Sequence, residues 1–306
     1  MGGVLEGFLT IAIVISLGAV LAHLGIVDAA GQRSLSLASF YLASPALLVT
    51  VLEDSDPSRV LSGPLVATAA GVLVSGGVLV AIAVVRGLDA GTTVVATLCS
   101  AYVNAGNLGI PIAAYALGDA ALVVPALMMQ LLFLQPLALT VLDVVTSPER
   151  PTLGRILRRP VTNPLTIASF AGLALAVTDA ELPQVVHAPL ELVGGMAVPA
   201  MLLAYGVALR LGPLPGRGVP PRALATVSLL KMVVQPVAAY VVGRFAVGLD
   251  GHDLFAVTLL SALPTAQNVF VVATRYDRGI LLARDAIFVT TLASAPVAIG
   301  IAALLA

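Results

Sequence analysis

Ten stretches of this 306-residue chain run nearly free of Asp, Glu, Lys and Arg, each close to the ~20 residues that a helix needs to cross bilayer hydrocarbon. They cover approximately 7 to 27, 34 to 52, 62 to 85, 91 to 118 and 120 to 145, then 160 to 178, 190 to 209, 222 to 246, 254 to 274 and 284 to 306. In lipid every backbone polar group must be satisfied within the protein, so runs of this length are read as helices. Apolar residues make up 59% of the chain and charged residues 10%, far from the roughly 25% charged of soluble domains. The expected class is therefore an all-α polytopic membrane protein. The first run lacks a basic leader and carries Glu6, so it is read as a mature helix rather than a signal peptide.

The same composition removes several function classes. A net charge of −1 leaves no basic face for nucleic acid. Cys99 is the single cysteine, so no intrachain disulfide or cysteine metal cluster can form, and no cofactor is expected. His23, His187 and His252 lie near the ends of runs without mutual ligand spacing. Paired intramembrane aspartates, His-Glu-x-x-His and a glycine-flanked serine nucleophile are all missing, which argues against an intramembrane enzyme.

Arginines collect in one set of alternate loops: Arg33, Arg86, the cluster Arg150, Arg155, Arg158 and Arg159, then Arg210, Arg217, Arg222, Arg275, Arg278 and Arg284. The opposite set holds Arg59 and Arg244. Positive charge marks the cytoplasmic side, so both termini are expected outside the cell membrane. The Pro- and Arg-rich linker at 147–159 then divides the chain into 1–146 and 160–306, with five spans in each.

Residues 97 to 118 align without gaps on 258 to 279, matching Thr97/Thr258, Ser100/Ser261, Ala101/Ala262, Asn107/Asn268, Tyr115/Tyr276 and Gly118/Gly279. An odd number of spans per copy forces the second copy to enter from the opposite side. The expected architecture is a 5+5 inverted repeat, typical of secondary transporters working by alternating access.

Spans 4 and 9 carry the polar interruptions. In "NAGNLGIP", Gly106 and Gly109 relax the backbone and Pro111 lacks an amide hydrogen, so a continuous helix is costly. The matching "LPTAQNVF" holds Pro264, Thr265, Gln267 and Asn268. Two broken helices meeting near mid-membrane would present helix amino ends, whose dipoles favour an anion. The alternative is a pair of kinks whose amides only bond neighbouring helices. Lys231, about nine residues into the eighth span, is the one deep charge, while Glu6, Asp143, Glu191, Asp250 and Asp253 fall near span ends. It either binds an anionic substrate or donates to carbonyls, such as that of Met232 opposite Pro236.

"NAGNLGIP", "LPTAQNVF", "VTNP" at 161–164 and "MMQLLFLQP" in the fifth span resemble the auxin efflux carrier family, which includes plant auxin exporters and bacterial carriers for malonate or malate. The resemblance covers all ten spans. It implies the fold of the bile acid sodium symporters, with a scaffold from spans 1, 2, 6 and 7 and a transport domain from spans 3–5 and 8–10 containing two crossing broken helices. It puts Asn104, Asn107, Pro111, Pro264 and Asn268 on the crossover, with Gln130 and Gln135 on an adjoining helix, and it implies a homodimer; Gly106, Thr265 and Gln267, within the same two interruptions, complete the expected substrate site. The expected activity is efflux of a small organic anion. Lys231 could replace a coupling cation; coupled import with Na+ or H+, or a carboxylate receptor without flux, are the alternatives. The short arginine linker departs from the long loop of many plant members and speaks against auxin itself. Gln267 stands where the first copy has Gly106, so the two halves of the site differ.

Overall fold

The computed structural model describes residues 2–53, 62–109, 112–113, 117–147 and 163–305. Pro111, Tyr115 and nearly all of the 147–159 linker lie outside the described residues, as does the side chain of Asn107. The described residues are helical throughout, apart from turns and one isolated antiparallel bridge.

Among the described residues six helices are long and apolar enough to cross a membrane: α2 (Ala29–Glu53), α3 (Gly63–Val85), α5 (Val124–Val145), α7 (Gln184–Leu211), α8 (Pro221–Val247) and α11 (Ile280–Leu305). α1 (Gly2–His23) and α6 (Pro164–Thr178) adjoin them. The fourth and ninth apolar runs are the ones that yield short helices. α4 (Ala90–Ala101) stops well before residue 118, and the ninth run is divided between α9 (Gly251–Ser261) and α10 (Asn268–Tyr276). These stops fall in the register of the sequence match, Ala101 against Ala262. Gly118 and Gly279, another matched pair, both take left-handed backbone with φ of 80° and 57°.

Local chemistry explains the helix ends. Asp89 caps α4 by accepting the Thr92 N–H at 2.8 Å, a bond that holds its carboxyl below the usual range, and Asn163 caps α6 through the Leu165 N–H at 3.1 Å. Three spans instead absorb an internal proline. π-helical turns at Ser39–Ala43, Met129–Leu134 and Leu230–Val234 each end immediately before Ser44-Pro45, Gln135-Pro136 or Gln235-Pro236. Proline cannot donate to the carbonyl four residues back and crowds it; one widened turn upstream relieves both.

Packing is closest where glycines bring backbones together. A Cβ on Gly18 would overlap the Leu203 carbonyl, and one on Gly206 the Ile15 carbonyl, so α1 and α7 interlock reciprocally. Gly172 of α6 lies where a Cβ would be 2.8 Å from the Val49 carbonyl of α2, and Gly71 of α3 stands likewise 2.8 Å from the Gln235 carbonyl of α8. Such approach is what lets apolar helices associate without help from water. Gly206→Leu is expected to force α1 and α7 apart and to cost about 1–3 kcal/mol or more, read as a drop in the melting temperature of purified protein.

Burial corrects the reading of charge by position. Arg284, counted above as a loop arginine, is 1% exposed inside α11 and pairs with the fully buried Asp285 at 2.6 Å. Asp285 also accepts the Gly216 N–H at 2.8 Å, and Tyr205 of α7 donates to the Arg284 carbonyl at 2.8 Å. Lys231 is thus not the only buried charge. An Arg-Asp doublet at the start of an apolar run looks interfacial in sequence, and only tertiary packing covers it.

Candidate functional site

α4 ends at Ala101, and residues 102 to 104 run extended against 264 to 266. The Asn104 N–H donates to the Pro264 carbonyl at 2.8 Å and the Ala266 N–H to the Tyr102 carbonyl at 3.2 Å, forming the antiparallel bridge between Val103 and Thr265. Each interruption thereby satisfies the other's backbone, as a non-helical segment inside an apolar protein must. Side chains complete the arrangement. The Thr265 hydroxyl donates to the Cys99 carbonyl at 2.6 Å, while its own N–H donates to the Thr290 hydroxyl at 3.1 Å. Ser75 donates to the Ser100 carbonyl at 2.7 Å.

Lys231 belongs to this framework. Fully buried, it donates through Nζ to Gln235 Oε1 at 2.7 Å and to the Ser261 carbonyl at 3.1 Å. Gln235 Nε2 in turn donates to the Ala101 carbonyl at 3.0 Å. Two carbonyls left over where α4 and α9 stop are therefore covered by one ammonium and the amide next to it. The sequence carries a signal for half of this: Lys231 and Gln235 are four residues apart on one helix face. The free carbonyl of Ser261 follows only from the end of α9.

Beside the bridge lies a cavity of about 220 Å³. Asn104, Gly106, Gln130, Gln267 and Asn268 of the predicted residues line it, with Tyr102 and Gln135; Lys231, Pro264 and Thr265 do not. Its other walls are apolar, from Phe40, Leu48 and Val51 of α2 to Leu165 of α6 and Met201 of α7. Asn104 Nδ2 donates to Gln267 Oε1 at 2.9 Å, and the Tyr102 hydroxyl to Gln135 Oε1 at 2.9 Å. Gln130 Oε1 and Asn268 Oδ1 are buried without a partner among the described residues. Buried polar atoms are rarely left so, and at a cavity wall such an atom is a place for a ligand. A terminal amide can turn over to offer either its oxygen or its N–H2.

The backbone contributes less than the sequence suggests. The Val269 and Phe270 N–H groups at the start of α10 bond the Ala266 and Gln267 carbonyls at 3.1 and 3.0 Å. A short loop folded tightly onto the helix start supplies these acceptors locally, so recognition passes to side-chain amides.

A family model described as "Membrane transport protein" matches residues 4–135 and 140–302. The chain belongs to this membrane transport protein family. The match bears out the resemblance to auxin efflux carriers read from the sequence, and with its apolar helices the chain is a multi-pass membrane protein. A Rhizobium meliloti protein named "Putative malonate transporter" is 30% identical over 289 residues, covering 90% of this chain and 88% of its own. A Methanothermobacter thermautotrophicus protein named "Uncharacterized transporter" is 28% identical over 301 residues, covering 95% of each. In this membrane transport protein the cavity is lined by residues of α2, α5, α6 and α7 together with those of the two interruptions.

Proposed function

We propose that this chain is a secondary transporter that exports a small dicarboxylate, with malonate the leading candidate, through the cavity beside the paired interruptions. The observation that carries the proposal is the pair of unpartnered amide oxygens, Gln130 Oε1 and Asn268 Oδ1, on residues that line the cavity beside Val103 and the paired interruptions. Turned to offer N–H2, these amides and that of Asn104 can receive a carboxylate. Malonate comes from the name of the Rhizobium relative and suits a small, amide-lined space.

In this reading the chain has ten spans arranged as a 5+5 inverted repeat, and spans 4 and 9 are crossing broken helices. The common register of the helix stops and the reciprocal backbone bonds at 102–104 and 264–266 support it. α1, α2, α6 and α7, tied by the glycine contacts, act as scaffold, and the remaining helices carry the site past it. Asn104, Gly106, Gln130, Gln267 and Asn268 face the substrate, and Asn107 and Pro111 are assigned to the same site from the sequence; Pro264, Thr265 and Lys231 hold the shape of the interruptions. Lys231 supplies a fixed positive charge against carbonyls at helix ends, a position that favours cations. It therefore makes a coupling Na+ unnecessary. With the termini outside a negative-inside cell membrane, each exported negative charge gains roughly 2.3 kcal/mol per 100 mV, which is sufficient drive without an ion gradient.

Purified protein reconstituted on solid-supported membranes tests this directly. Malonate jumps are expected to give currents that persist when Na+ is replaced by choline and when no pH gradient is imposed, with malate weaker and indole acetate silent. Absence of both malonate current and malonate-dependent thermal stabilisation overturns the proposal, and a strict Na+ requirement overturns uncoupled export.

A further inference from the structure

We propose that Arg275 is the specificity-determining cation of this carrier, receiving the second carboxylate of a dicarboxylate at the end of the cavity. The inference rests on the transport reading above and adds a residue to its site. No Lys, Arg, His, Asp or Glu lines the cavity among the described residues, and its walls are largely apolar. A doubly charged substrate entering such a space loses hydration that uncharged amides replace only in part. A cation within reach of the cavity would compensate.

α10 supplies one. Asn268, Val271 and Val272 face the cavity, and Arg275 follows on the same helix face at the next turn, a rise of about 4.5 Å from Val272. Phe40, which lines the cavity, is one of three rings around the guanidinium: the Arg275 Cζ lies 5.9 Å from the Phe40 centroid, 5.1 Å from Tyr41 and 5.3 Å from Tyr276. Ring faces hold a guanidinium in place without using its N–H groups. Arg275 Nε is buried without a partner, and no carboxylate lies within 4 Å among the described residues. Asp143 receives the Tyr276 hydroxyl at 2.8 Å instead.

Neighbouring arginines differ in this respect. Arg278 stands 3.9 Å from Asp89 and Arg284 is paired with Asp285. Among the described residues Arg275 alone of the three is surrounded by aromatic rings and has no carboxylate beside it, and its buried Nε has no partner. A cation at the last turn of α10 also suits the helix dipole, but that role needs neither three rings nor a planar fork, and lysine would serve it equally.

The test compares malonate with its monoamide, malonamate, which lacks one charge, in proteoliposomes of the parent, R275Q, R275K and N268A carriers. R275Q is expected to raise the KM for malonate about tenfold or more with kcat little changed, and to leave malonamate nearly unaffected, so that discrimination between the two collapses. R275K, with the charge but not the fork, is expected to fall between, and it decides the matter if R275Q does not fold. Equal KM shifts for both substrates, or parent-like discrimination in R275Q and R275K while N268A is impaired, overturn the role of Arg275 and leave the carrier reading standing. Malonate flux absent from the parent itself overturns both.

Discussion

A Lys231→Met carrier is expected to melt about 10 °C below the parent. The ammonium makes two hydrogen bonds in a fully buried setting, to Gln235 Oε1 and the Ser261 carbonyl. Hydrogen bonds to charged groups contribute about 1.5–3 kcal/mol each, and removing the donor leaves two buried acceptors stranded. A combined loss of about 3–5 kcal/mol at 2–4 °C per kcal/mol gives that shift. Malonate affinity of the folded fraction should change little, since Lys231 does not line the cavity. A melting temperature that stays put while malonate binding disappears would instead make Lys231 a substrate ligand. Lys231→Ser sharpens the distinction: the vacated space between the Ser261 carbonyl and Gln235 Oε1 should then accept Na+, seen as thermal stabilisation by sodium chloride over choline chloride that the parent lacks.

The second large effect is expected at the cavity wall. Asn268→Ala and Gln130→Ala should each weaken malonate binding by about tenfold or more, the worth of one hydrogen bond to a charged acceptor, with the melting temperature of the ligand-free protein unchanged or raised. The second expectation follows from the atoms left without partners: Asn268 Oδ1 and Gln130 Oε1 are already unsatisfied in the cavity, so truncation removes a cost. Isothermal titration of detergent-purified protein with malonate measures the first and a melting curve the second. Wild-type affinity in both variants would remove the amides from the site.

Much of this was readable before any coordinates. "NAGNLGIP" and "LPTAQNVF" announce interruptions because proline, glycine and terminal amides are expensive in lipid-facing helix, and α4 and α9 do stop there. Lys231 announces a special place by its depth. What the sequence withholds is who satisfies whom. Thr265 to Cys99, Gln235 to Ala101 and Asp285 to Gly216 join residues far apart along the chain, and only the packed helices bring them together. The π-helical turns had a signal in the X-Pro pairs that follow them, yet a proline alone does not say whether a helix kinks, stops or widens. Arg275 was hidden for a different reason: as one arginine among many near a loop, it counts toward orientation, and its ring-lined setting depends on Phe40 and Tyr41 from a distant helix.

The reciprocal backbone hydrogen bonds flanking Val103 and Thr265 would also limit how cargo is moved in the proposed transport cycle. Asn104 hangs from Pro264 and Ala266 from Tyr102, so pulling the two strands apart would expose four peptide groups where no water waits to receive them. In the transport cycle proposed above the pair would travel as one cradle, and the sliding seam would lie elsewhere, along the apolar wall of α2, α6 and α7, where contacts are nonspecific and can be exchanged one for another.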